Sequence, residues 1–136
     1  MTAETHLATL LRGLRPQIDP TSYVFSSVKD ASYGDLSHTK PLACFAEQEG
    51  LTLVLSKESA DQEGLSYQGS FRCISLQVHS SLQAVGLTAA VASELASHGI
   101  SANVIAAYHH DHVFVPAQHA EQALRLLQAM SARRSG

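Results

Sequence analysis

Two stretches of this chain read alike at an offset of about 60 residues and align without a gap. Ala43-Cys44-Phe45-Ala46, Leu53-Val54-Leu55, Ala60 and Gln62 correspond to Asn103-Val104-Ile105-Ala106, Val113-Phe114-Val115, Ala120 and Gln122. Self-similarity at such a period marks a duplicated small unit. In the first copy, the apolar runs Leu42 to Glu47 and Leu51 to Leu55 flank Gln48-Glu49-Gly50; in the second, Asn103 to Tyr108 and His112 to Val115 flank His109-His110-Asp111. Short links of this kind between β-prone runs predict two antiparallel hairpins.

The surrounding sequence supplies further elements. Leu7, Leu10, Leu11 and Leu14 follow a helical period, with Thr2 or Thr5 as cap and Gly13 and Pro16 as the end. Tyr23 to Val28 is β-branched and aromatic and predicts a strand, and Lys29 to Lys40 reads as loop. Ser56 to Glu63 predicts a short helix stopped by Gly64, and Phe71 to Val78 alternates as a strand with one buried face. Ala84 to His98 is the strongest helix, with Leu87, Val91 and Leu95 in one stripe and Gly99-Ile100 placed for a Schellman ending. Pro116 to Met130 makes a closing helix.

From Phe71 the order is therefore strand, helix, strand, strand, helix, most of a ferredoxin-like βαββαβ unit of the α+β class. The first copy lacks the helix before its hairpin and is degenerate. The boundaries expected are 1–66 for the degenerate unit with its N-terminal helix and 67–136 for the complete one, the two packed side by side with antiparallel sheets. The N-terminal helix is expected to cover the sheet face that the missing helix leaves bare.

The chain carries 45% hydrophobic and 15% charged residues with a formal charge of -3. That balance fits a packed globule of 136 residues and gives no electrostatic footprint for nucleic acid. No apolar run approaches the roughly 20 residues needed to cross a bilayer, so no membrane partner is expected. An acid, a His and an Arg interrupt the stretch from Met1 to Leu14, where a signal peptide would be apolar, and a cytoplasmic address is expected. Cys44 and Cys73, each inside an apolar run, read as reduced core cysteines.

Val85-Gly86-Leu87-Thr88, Gly99-Ile100-Ser101-Ala102-Asn103-Val104-Ile105 and Tyr108 to Pro116 resemble an ACT domain, and the hairpin with Glu49-Gly50-Leu51-Thr52 is similar to the first half of small bacterial two-ACT proteins. The resemblance spans nearly the whole chain. It implies a regulatory module rather than an enzyme, a small-molecule ligand of the amino-acid type, and a homodimer. The ligand would be held by the segment between first strand and first helix and by the start of the second strand. Carried over by position, these are His79, Ser80, Ser81, Val85, Gly86, Leu87 and Thr88, with Ser101 and Asn103.

The residue chemistry bears on that mapping. Gly86 lacks the Cβ that blocks close approach, and free N–H groups at a helix start suit a carboxylate. Asn103 offers both a donor and an acceptor. Against this, Gly86 also serves to relieve helix packing, and Asn103 to cap or turn the backbone. A module with the same fold that docks a protein and takes no ligand is the alternative. The cluster at 109–112 is the one dense group of metal-ligating side chains, and on a strand His110 and His112 point the same way. Four adjacent residues on a tight turn seldom converge on a metal, so no cofactor is expected. Asp111 with His79 is the only acid-base pair the sequence suggests, and no nucleophile elbow, phosphate loop or Cys-x-x-Cys pair occurs.

Overall fold

The fold is that of a computed structural model, which describes residues 6–78 and 85–135, the side chains of 133–135 excepted. Ten regular elements run in order: α1 (Leu7–Arg12), β1 (Pro16–Val28), β2 (Ala43–Glu47), β3 (Gly50–Ser56), α2 (Lys57–Glu63), β4 (Phe71–Leu76), α3 (Leu87–Ala96), β5 (Asn103–Ala106), β6 (Asp111–Pro116) and α4 (Ala120–Ser135). The strand order is β2-β3-β1-β4-β6-β5, which leaves β2 and β5 as edges. The chain divides into two compact units, Thr21–Phe71 and a discontinuous one of Met1–Pro20 with Arg72–Gly136.

The repeat is realised to the residue. In the first hairpin Ala43 faces Val54, Cys44 faces Leu53, Phe45 faces Thr52 and Ala46 faces Leu51. In the second, Asn103 faces Phe114, Val104 faces Val113, Ile105 faces His112 and Ala106 faces Asp111, each pair shifted by the same 60 positions. The small residues Ala60 and Ala120, at the following helices, are both buried at matching positions.

In the unit Thr21–Phe71, β3 pairs antiparallel with the second part of β1, from Tyr23 opposite Ser56 to Val28 opposite Leu51. Leu51, Leu53 and Leu55 share one face by strand alternation and form a core with Val24 and Ala60. Ser56 caps α2 by accepting a hydrogen bond from the Ser59 amide at 3.1 Å. The stretch read as loop contains a single 3-10 turn, Ser37–Thr39, in place of the helix missing from this half. Cys44 is exposed, contrary to the reading of both cysteines as core residues. Its neighbours are apolar, but β2 is an edge strand exposed along most of its length, so apolar sequence here does not mean burial.

In the other unit, one core gathers Ile74 and Leu76 of β4, Val91 and Leu95 of α3, Val113 and Val115 of β6, and Ala123 and Leu127 of α4. Leu10, Leu11 and Leu14 belong to this same core. The apolar stripe of the N-terminal helix, expected to serve the degenerate half, belongs instead to the core formed with α3 and α4. Helical periodicity specifies an apolar face and leaves the surface it meets unspecified. The cap of α1 is His6, whose side chain makes no capping bond, while Thr2 and Thr5 lie outside the described residues. At the far end of α3 the Ile100 amide returns to the Leu95 carbonyl at 3.0 Å, the expected Schellman closure.

Candidate ligand site

α3 begins immediately after Gly86, whose backbone lies at φ 99° and ψ -18°, a left-handed conformation that L side chains seldom adopt. A Cβ at this position would stand 3.3 Å from Leu7 Cδ2, so the space on that side is taken by α1. The glycine is thus demanded by the bend, while the exposed end of Leu7 could yield the few tenths of an ångström a Cβ would need. Gly86 has no side chain to cap this helix start, and no other described side chain does so. Val85 projects into solvent, 83% exposed, and Thr88 is exposed beside it, whereas Leu87 is buried in the core and offers only its backbone. His79, Ser80 and Ser81 lie outside the described residues.

Ser101 and Asn103 are exposed at the start of β5. The Asn103 carboxamide has no hydrogen-bond partner among the described residues. Asn103 pairs with Phe114, and Phe114 alternates with the core residues Val113 and Val115. The Asn103 side chain is accordingly on the sheet face turned away from α3 and α4. Val85 to Thr88 come together at one helix start, and Asn103 does not share their face.

The 109–112 cluster is split in the same way. Asp111 shares the parity of Val113 and Val115 and is on the helix-covered face, only 8% exposed. Burial pushes its carboxyl above the usual carboxylate range, a shift that the neighbouring His112 and His110 oppose. His112 is on the other face, where its Nδ1 shares a 2.7 Å hydrogen bond with Ser75 Oγ. Burial and the nearby His110 hold its imidazole below the ordinary histidine range, against the pull of Asp111. Cys73 Sγ lies 3.9 Å from the same Ser75 hydroxyl. The His110 ring is turned elsewhere, with Nδ1 3.5 Å from the Val78 carbonyl oxygen. Among the described residues, no three His, Cys, Asp or Glu side chains gather as metal ligands do. The sequence offers Asp111 as a member of the 109–112 cluster and as a partner for His79; its place on the helix-covered face is visible once the register is known.

Two clefts are formed among the described residues. One of about 350 Å³ is lined by Arg15, Pro16, Gln17, Gln128 and Ser131, and one of about 120 Å³ is lined by Gly34, Leu36, Cys44 and neighbours in the degenerate half. Neither contains a residue implied by the resemblance.

Two models of the ACT domain match the chain, over residues 2–72 and 69–129. The chain belongs to the ACT-domain family. Its two ACT regions stand in tandem, and such domains are typically regulatory modules. A protein of unknown function from Vibrio cholerae, described as a possible transport protein, is 49% identical, with 92% of this chain and 95% of that chain covered at a TM-score of 0.84. A protein from Agrobacterium tumefaciens has 18% identity and a TM-score of 0.71, covering 85% of this chain and 87% of its own. The ligand-free regulatory subunit of aspartate kinase from Thermus thermophilus shares the fold at 12% identity and a TM-score of 0.63, with 87% and 97% covered. No curated protein matches. Among the described residues, no helix is long and apolar enough to cross a membrane.

Proposed function

We propose that this tandem ACT protein is a regulatory module without catalytic activity that binds an amino acid at the start of α3. The observation that carries the reading is the first turn of α3 behind Gly86, which no described side chain caps. Its amides and the positive end of the helix dipole suit a ligand carboxylate. Val85 and Thr88 border that turn, and the resemblance assigns His79, Ser80 and Ser81 to the same site by position. Ser101 and Asn103 would contribute from the start of β5, Asn103 through a face on which a second ACT unit could meet the ligand. Support comes also from a structural neighbour: aspartokinase III of Escherichia coli, 12% identical, was solved in complex with aspartate and ADP. The module acts in the cytoplasm, as a homodimer whose state the ligand biases.

Thermal shift against the twenty amino acids tests this. A ligand selective for the native state at 100 times its Kd adds about 2.7 kcal/mol and raises the melting temperature. One amino acid, or a related few, should do so. Silence from all twenty at millimolar concentration would favour the docking module, which the exposed edge strand β2, with Phe45 69% exposed, also suits.

A further inference from the structure

A second polar site is built where α1 turns into β1. Arg15 sits at that corner with φ 40°, a left-handed backbone that costs a non-glycine residue about 1 kcal/mol. The corner is held in place, because the Gln77 amide donates to the carbonyls of Leu14 at 3.0 Å and Arg15 at 3.4 Å. On the other side, the Ser131 hydroxyl of α4 donates to the Arg12 carbonyl at 3.0 Å, tying the last turn of α1 to that helix. Between them lies the cleft of about 350 Å³, walled by Arg15, Gln17, Gln128 and Ser131 around Pro16.

Among the described residues, no acidic side chain lines this cleft. The Arg15 guanidinium has neither ion pair nor hydrogen bond among the described residues, and the carboxamides of Gln17 and Gln128 are equally uncommitted. One cation and two amide groups thus face a common space, with their donors unspent. A guanidinium presents its N–H groups as a fork matched to two oxygens of one anion, and amides supply further donors without adding charge.

We propose that this cleft binds a small oxyanion, a carboxylate or phosphate group, clasped by Arg15 with Gln17 and Gln128. Arg15, from the corner, and Gln128, from α4, line the same cleft. The site is open to solvent, so its affinity is modest and weakens with salt.

The test is a ¹⁵N NMR titration of the full chain with inorganic phosphate and, separately, with succinate, each at constant ionic strength against chloride. Saturable shifts confined to residues around Arg15, Gln17, Gln128 and Ser131 are expected, with a Kd in the millimolar range, and the anion that saturates identifies the class. Arg15→Gly relieves the backbone while removing the guanidinium: the melting temperature should hold and the affinity should fall about tenfold or more. Arg15→Lys, which keeps the charge without the fork, should fall between. No saturable response to either anion, or the same response in Arg15→Gly, overturns the proposal.

Discussion

Asp111 shows how much a single residue can hide. In the sequence it is one polar letter in a hairpin tip, yet strand parity turns its carboxylate toward the core, where burial raises its pKa. A carboxyl whose folded pKa exceeds its unfolded one stabilises the fold while protonated and loses that contribution as pH rises through the folded value. At pH 7 the ionised group is therefore a liability, and Asp111→Asn should raise the melting temperature of the protein. The melting-temperature gap between variant and parent should be widest near neutrality and close as pH falls toward the ordinary Asp range. A destabilised variant would show that the carboxylate has a favourable partner. The cysteines make the complementary case: both were read as buried from apolar neighbours, which speak for burial only where another layer covers the strand. Cys73 is buried, its thiol pushed up chiefly by burial, and Cys44 is exposed. A thiol reagent such as Ellman's should titrate one thiol per native chain and two after denaturation. Two rapid equivalents, or none, would contradict that assignment.

At the scale of elements, the hairpins were legible because their signal is local: alternation, a short link and a repeat that fixes the same register twice. Their turns nevertheless differ in kind. Gly50 has φ 152°, and a Cβ there would fall 2.7 Å from the Val28 carbonyl oxygen, a backbone atom unable to yield cheaply. The equivalent position sixty residues on is His110, which has no such restriction. Gly50→Ala should cost about 2 kcal/mol or more in denaturant unfolding, and a loss below about 0.5 kcal/mol would mean that β3 shifts freely. α1 was legible as an amphipathic helix, but its partner was not, since periodicity carries no address. Leu11 now lies in the core of the unit containing α3 and α4. Leu11→Ala should lower stability by about 2–5 kcal/mol, read from the denaturation midpoint. The start of α3 shows the limit for the candidate site: Gly86 and its uncapped turn could be anticipated, but the opposite facing of Asn103 required the pairing with Phe114.

For the whole molecule, the informative feature is that one compact unit is discontinuous in sequence. Its first piece, ending at Pro20, carries α1 and the opening of β1; its second resumes at Arg72. Reading along the chain places a boundary near 66, because duplication suggests two halves in succession, and no local signal reveals that the first twenty residues join the later core. The Arg72 guanidinium donates to the Asp19 carbonyl oxygen at 2.9 Å, which brings the two ends of the gap together. A chain with residues 21–71 replaced by a short Gly/Ser link between Pro20 and Arg72 should therefore fold, since closing so small a gap adds little loop entropy. Residues 67–136 alone should not, because they lack the buried side chains of Leu10, Leu11 and Leu14, each contributing roughly 1.5–3 kcal/mol on burial. Cooperative thermal unfolding followed by circular dichroism separates the two. If 67–136 melts cooperatively and the joined chain does not, the later unit is self-sufficient and α1 is an accessory to it.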